Sequence, residues 1–270
     1  MNKGRLSIFL RKLGLIYYMD WLRFYMERRR NRPVNDRFLR ANPGVKLPPD
    51  YLIYESFRMN YSKYYDGGKD VANELAEIFG KYVELRNAKI LDWGCGPGRV
   101  IRHLPGITGN NCEYFATDYN KESIDWCRQN LQGIHFNNNT LEASLPYADN
   151  TFDVIYGISI FTHLSEALHY QWYEELFRIL RPGGILYLTT HGNNFKVKLT
   201  AKEVSDFDQG HLIVRGYAKE GHRTFAAFQP AAFMSKLFHN VRILEHVETP
   251  VLDSSSIPQD VWIVQKCDND

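Results

Sequence analysis

Ile90-Leu91-Asp92-Trp93-Gly94-Cys95-Gly96-Pro97-Gly98-Arg99 decides the reading of this chain. A short apolar strand over residues 88–92 runs into a turn with glycine at 94, 96 and 98. Glycine has no Cβ, so such a turn lets backbone approach a ligand where side chains would collide. A helix opening behind the turn favours negative charge at its N-terminus. The spacing is G-x-G-x-G; a dinucleotide fingerprint would put its third glycine where Arg99 stands, which disfavours an NAD dehydrogenase. A second strand over 112–117 ends at Asp118, whose carboxylate can accept both hydroxyl hydrogens of a ribose. Asn120 is available to cap the next helix, which frees Asp118 from that duty. Together the turn and the aspartate point to a cofactor that contains a nucleoside.

Working outward, strands and helices alternate. Further strands are read at 134–136, 152–158, 185–190, 241–247 and 261–265. Between them a helix starts at Arg99, and a second follows Asn120 with Ile124, Cys127 and Leu131 inward and Gly133 closing it. Leu164, Leu168, Trp172, Leu176 and Ile179 mark a third, ended by Arg181-Pro182-Gly183-Gly184. Pro230 is placed to open a last helix through Phe233, Leu237 and Phe238. Such alternation means an α/β fold with a doubly wound, seven-stranded, mostly parallel sheet covered on both faces.

Composition narrows the class. The 270 residues are 44% apolar and 24% charged, which excludes disordered and collagen-like chains. A net charge of +2 argues against a strongly basic nucleic-acid binder, and no nucleic-acid partner is expected. Cys95, Cys112, Cys127 and Cys267 show no C-x-x-C or zinc spacing and read as reduced thiols of a cytoplasmic protein. No His/Asp/Glu group has metal-ligand spacing along the chain, so no catalytic metal is expected. No apolar run approaches the length of a membrane span.

The near-neutral total hides a basic N-terminus. Residues 1–40 hold eleven Lys and Arg against three acidic residues, a surplus of eight, and the rest of the chain has a deficit of six. On one helical wheel Arg5, Lys12, Asp20, Arg23 and Glu27 fall opposite Leu6, Leu10, Leu13, Tyr17, Trp21 and Phe24. A basic helix of that kind can lie on an anionic membrane surface, or pack its apolar face on the main domain or a second subunit as a homodimer contact. Prolines 33, 43, 48 and 49 then suggest a connector over 31–50. The domain reading is therefore a helical extension at 1–50 and a main domain at 51–267. Within the latter, 51–87 is a helical, tyrosine-rich lid region and 191–227 a substrate-facing insertion.

These motifs resemble the class I S-adenosylmethionine-dependent methyltransferases. The stretch 90–99 looks like their glycine-rich first motif, and Ala116-Thr117-Asp118-Tyr119-Asn120 like their ribose-binding strand end. Residues 145–153 and Leu180-Arg181-Pro182-Gly183-Gly184 resemble the stretches before the fourth and fifth strands. Ser159-Ile160-Phe161-Thr162-His163-Leu164, Thr190-His191-Gly192 and Gln259-Asp260-Val261-Trp262 are similar to a branch associated with bacterial surface-glycan biosynthesis. The resemblance implies a Rossmann-like fold, S-adenosyl-L-methionine as cofactor and a small-molecule or glycan acceptor, at the inner membrane face where the acceptor is a glycolipid.

It also implies roles. Gly94, Cys95, Gly96 and Gly98 would line the methionine moiety and Asp92 orient its ammonium, with no thiol chemistry at Cys95. Asp118 would hold the ribose and Tyr119 lie against the adenine. The contact to the adenine amino group stays open among Asn139, the Leu141 backbone and Glu142, and Ile158 would offer backbone. His163 is the candidate general base, with His191 as runner-up; His211 and His222 lie in the insertion. The alternatives are methylation of a soluble small molecule at nitrogen or oxygen, and a non-catalytic methyltransferase-like scaffold.

Overall fold

The structure is a computed structural model that describes residues 3–109, 111–251 and 256–267. Two N-terminal helices come first, α1 (Lys3–Lys12) and α2 (Ile16–Ala41), parted at Gly14 with φ +69°. That break overturns a single helical wheel for the segment. Beyond it Phe24 is buried, whereas Trp21 on another side of α2 is 50% exposed. The side chains of residues 3–7, Arg5 and Leu6 among them, lie outside the described residues. The helix also runs through Pro33, where the sequence suggested a connector. Proline removes one amide donor there, but Asn35 and Phe38 just beyond it are buried, and Asn35 Oδ1 accepts the Tyr61 N–H at 2.9 Å. The connector shrinks to residues 42–49.

Two compact units follow from the contacts, residues 18–140 and residues 141–270 together with 1–17. In the first, α3 (Asp50–Ser56) leads to α4 (Tyr61–Tyr82), whose N-cap Asn60 accepts the Lys63 N–H. This helix does not end at Gly67-Gly68. Gly68 faces the backbone of Arg99 so closely that a Cβ would stand 2.3 Å from its carbonyl oxygen. Next come the parallel strands β1 (Lys89–Trp93), β2 (Glu113–Asp118) and β3 (Ile134–Asn138). The helix expected from Arg99 is a 3-10 turn at Ile101–His103 followed by α5 (Leu104–Thr108), with Pro105 in its first turn. The helix after β2, α6 (Lys121–Asn130), is capped by Asn120, whose side chain accepts the Ser123 N–H, and it buries Ile124 and Cys127.

The second unit holds β4 (Phe152–Gly157), buried along its length, then α7 (Glu166–Ile179) and β5 (Leu180–Thr190). Arg181-Pro182-Gly183-Gly184 forms an irregular start to β5, where the register with β4 shifts. After a 3-10 turn at Asn193–Lys198 come α8 (Ala201–Asp208) and the paired strands β6 (Ile213–Arg215) and β7 (Ala226–Phe228). Phe195, Leu199, Phe207, Ile213 and Phe228 give this insertion a small core of its own. Arg11 of α1 docks on it, donating from Nη1 to the carbonyls of Arg215 (3.1 Å) and Gly216 (3.3 Å). Pro230 opens α9 (Ala231–Leu237), and β8 (Val241–Glu248) and β9 (Asp260–Lys266) add antiparallel strands. The strand order β3-β2-β1-β4-β5-β9-β8 is the seven-stranded, mostly parallel sheet that the sequence implies.

The two adjacent glycines of α4 make a controlled experiment. Gly67→Ala meets open space and should leave stability level or raised by up to about 1 kcal/mol. Gly68→Ala drives a methyl into backbone and should cost about 1–3 kcal/mol. Urea denaturation of both variants checks the contrast; equal effects would contradict the packing described.

Candidate active site

The glycine turn is fastened to the end of β2. The N–H groups of Gly94 and Cys95 both donate to the Thr117 carbonyl (2.8 and 3.0 Å), and the Gly96 N–H donates to Asp118 Oδ2 at 2.8 Å. Asp118 Oδ1 accepts the Asn120 N–H at 2.7 Å. All three glycines have positive φ, +79°, +52° and +74° at 94, 96 and 98. Two of them make room for protein. A Cβ on Gly98 would stand 2.7 Å from Leu131 Cδ1, and one on Gly96 would stand 3.1 Å from Ser56 Cβ. Gly98 therefore seats the residue after α6, and Gly96 seats the end of α3.

Residues 55–57 lie over this turn. Glu55 Oε2 accepts from Asn120 Nδ2 at 2.8 Å, and the Arg99 guanidinium sits 4.5 Å above the Phe57 ring. Sequence reasoning did not single out Glu55, Ser56 or Phe57, and placed its lid at the tyrosines instead. Those pack: Tyr64 is fully buried with its hydroxyl on the Pro97 carbonyl (3.0 Å), Tyr61 donates to Asp50, and Tyr65 meets His103 edge-on.

Donor chemistry at this turn suits an adenosyl group. Asp118 is buried, and burial raises its pKa while the N–H groups of Asn120 and Gly96 hold it down. A carboxylate offers about four acceptor positions; two are taken here, and the rest can accept ribose hydroxyls. Asp92 is buried close by. Burial, then Asp92 and Asp118, push the Cys95 thiol well up, so it stays protonated. Asn139 is spent locally: Oδ1 accepts from Thr117 Oγ1 and Nδ2 donates to the Thr140 carbonyl, both at 2.6 Å. Tyr119 is half-buried at the end of β2. In the other unit the Leu141 carbonyl accepts from the Trp172 indole N–H (3.2 Å), and Ile158 lies half-buried just past β4.

The two candidate histidines share one arrangement. His163 Nδ1 lies 2.9 Å from the Phe225 carbonyl and His191 Nδ1 lies 3.0 Å from the Ala227 carbonyl. A carbonyl can only accept, so each ring carries its proton on Nδ1 and presents Nε2 as an acceptor. Burial lowers the pKa of His163 to about 4 and that of His191 to about 3, the latter helped by neighbouring His163. Gln229 braces the group. It accepts the His191 N–H (3.0 Å) and donates to the Phe161 carbonyl (3.0 Å), with His169 Nε2 3.1 Å away. His222 is turned elsewhere, its ring against Tyr17, and His211 is exposed.

Beside them three side chains close a ring of hydrogen bonds. The Ser159 N–H donates to Thr189 Oγ1 (2.8 Å), Thr189 Oγ1 to Gln259 Oε1 (2.6 Å), and Gln259 Nε2 to Ser159 Oγ (2.6 Å). This ring holds Ser159 at φ +68°, a conformation that costs a non-glycine residue free energy and recurs at functional sites.

Residues 90–184 match the family model of a methyltransferase domain. The matched stretch runs from β1 to the start of β5. A malonyl-(acyl-carrier protein) O-methyltransferase of Enterobacter lignolyticus is 33% identical over 108 residues, 39% of each chain. Phthiotriol/phenolphthiotriol dimycocerosates methyltransferase 1 of Mycobacterium ulcerans is 30% identical over 154 residues, 52% of this chain and 54% of that one. The chain thus spans about half or less of these relatives. A solved SAM-dependent methyltransferase from Methanosarcina mazei superposes with a TM-score of 0.55 at 23% identity, covering 70% of this chain and 97% of that one. That likeness is one of fold.

These desolvated imidazoles give stability a pH dependence of known sign. In the unfolded chain His163, His169 and His191 take up protons near pH 6.5, but in the fold only near pH 3–4. Between those values the unfolded state binds more protons, so stability falls as pH falls, by about 1.4 kcal/mol per pH unit for each histidine. Melting temperatures of the full chain should decline steeply below about pH 6.5, and less steeply in His169→Phe. A flat profile would contradict the burial.

Proposed function

We propose that this chain transfers a methyl group from S-adenosylmethionine to an oxygen of a saccharide or glycolipid acceptor. The observation that carries the cofactor reading is Asp118, a buried carboxylate held by the Gly96 and Asn120 N–H groups with acceptor positions to spare. When bound, S-adenosylmethionine would supply an activated methyl, which the acceptor hydroxyl oxygen takes by attack in line with the breaking methyl–sulfur bond, leaving S-adenosylhomocysteine. Asp118 holds the ribose, and the backbone of the glycine turn and Asp92 meet the methionine end. Most of the acceleration then comes from positioning.

An acceptor hydroxyl must lose its proton as it attacks. His163 is neutral throughout the physiological range and directs Nε2 as a proton acceptor, because the Phe225 carbonyl fixes its tautomer. Burial makes it a weak base, so its contribution is a well-aimed acceptor rather than a strong one. His191 is the second candidate, in the same posture. The preference for a saccharide draws on the segments similar to the glycan-associated branch. Two of the three join through the hydrogen-bonded ring of Ser159, Thr189 and Gln259, and His191 follows β5 beside them.

Membrane contact fits the same reading. Among the described residues no helix is long and apolar enough to cross a membrane. The outward face of α2, however, exposes Tyr18, Trp21, Tyr25 and Met26, and continues into exposed Arg29 and Arg32. Aromatic side chains flanked by arginine suit the interface of an anionic bilayer.

Calorimetry and turnover test these roles separately. Asp118→Ala should weaken S-adenosylmethionine and S-adenosylhomocysteine binding by more than about tenfold. His163→Ala should leave binding intact and lower turnover by about 10²–10⁴-fold in an acceptor screen with labelled methyl donor. No binding by the unmodified chain would end the cofactor reading; unchanged turnover in His163→Ala would end the base assignment. The bilayer contact is checked by flotation with anionic vesicles. Trp21→Ser/Tyr25→Ser should release the protein, and salt should weaken the association; unaltered flotation would refute it.

A further inference from the structure

The sheet edge formed by β8 and β9 carries a group of side chains that the chemistry above does not use. His246 and Glu248 lie two residues apart on β8 and so share a face. Across the ladder Glu248 pairs with Asp260 and His246 with Trp262. On its other side Asp260 pairs with Thr190, the last residue of β5. One row at the carboxyl end of β5 therefore runs Glu248, Asp260, Thr190, with His246 a step behind it.

One ligating atom from each of His246, Glu248 and Asp260 lies within 4.8 Å of the others. His246 Nε2 stands 3.0 Å from Asp260 Oδ2. That is close to the separation of two ligands at right angles on a common ion held at about 2.1 Å. Asp260 is 2% exposed, and its other oxygen, Oδ1, has no hydrogen-bond partner. The buried Thr190 hydroxyl in the same row has none either. The contact with His246 alone leaves that carboxylate oxygen buried and unsatisfied, which is costly; a cation would satisfy it.

Each donor is held in place. The His246 ring stacks on Trp262 with centroids 3.7 Å apart and planes within 9°. Asn193 Nδ2 donates to Glu248 Oε1 at 2.6 Å. The Asp260 carboxylate lies on Gly192, where a Cβ would be 2.0 Å from Oδ2. Glu248 is exposed, so an ion has a path in and open positions for water.

We propose that His246, Glu248 and Asp260 bind a divalent transition-metal ion, with one imidazole and two carboxylates as ligands. That donor set is the one expected for Zn2+ or Co2+ rather than for Ca2+ or Mg2+, which favour oxygen alone.

Cobalt makes the site visible. The chelator-treated full-length protein is titrated with Co2+, followed by visible absorption and by displacement with Zn2+. One equivalent should bind with d–d bands characteristic of a nitrogen–oxygen site. Glu248→Gln, a change at an exposed side chain, should weaken binding by more than about tenfold. Asp260→Asn should remove the bands, with circular dichroism verifying its fold. Absence of bands in the unmodified protein, or bands that persist in Glu248→Gln at unchanged affinity, would overturn the proposal.

Discussion

The end of β2 and the turn after β1 are held as one piece of backbone. Thr117 gives its carbonyl to two amides of the turn, and Asp118 gives its carboxylate to a third. Without those bonds three amides in this turn would lack partners, and burying an amide unpaired costs about 1–3 kcal/mol. The glycines follow from this fastening. Their positive φ values let the chain reverse within five residues, and their missing side chains admit the end of α3 on one side and the residue after α6 on the other. Asp118 thus stabilises the turn with one acceptor position on each of its carboxylate oxygens.

Much of this was legible along the chain. The G-x-G-x-G spacing, the strand ending in Asp118, the Asn120 cap and the order of the strands all rest on local periodicity and turn chemistry, which travel with the sequence. Helix α2 runs through Pro33 and α4 through Gly67-Gly68 for one reason. Tertiary contacts, the Asn35 bond to Tyr61 and the approach of Gly68 to Arg99, override local preference in both helices. Only Gly68 of that pair is closely packed, and nothing local in the sequence names its partner.

Long-range constellations were out of reach for a related reason. Ser159, Thr189 and Gln259 meet because three strands end together, not because of any spacing in the chain. His246, Glu248 and Asp260 come together only through the antiparallel pairing of β8 with β9. Their distances along the chain match no metal motif, so the expectation of no metal was a statement about sequence spacing alone.

The two carbonyls that orient His163 and His191 come from alternate residues of one extended segment, Phe225 and Ala227. Peptide oxygens belong to every residue type, so no point substitution at 225 or 227 can delete them. The side chains of this hairpin can therefore change while both imidazoles keep their orientation, and only an insertion or deletion that shifts its register would release them.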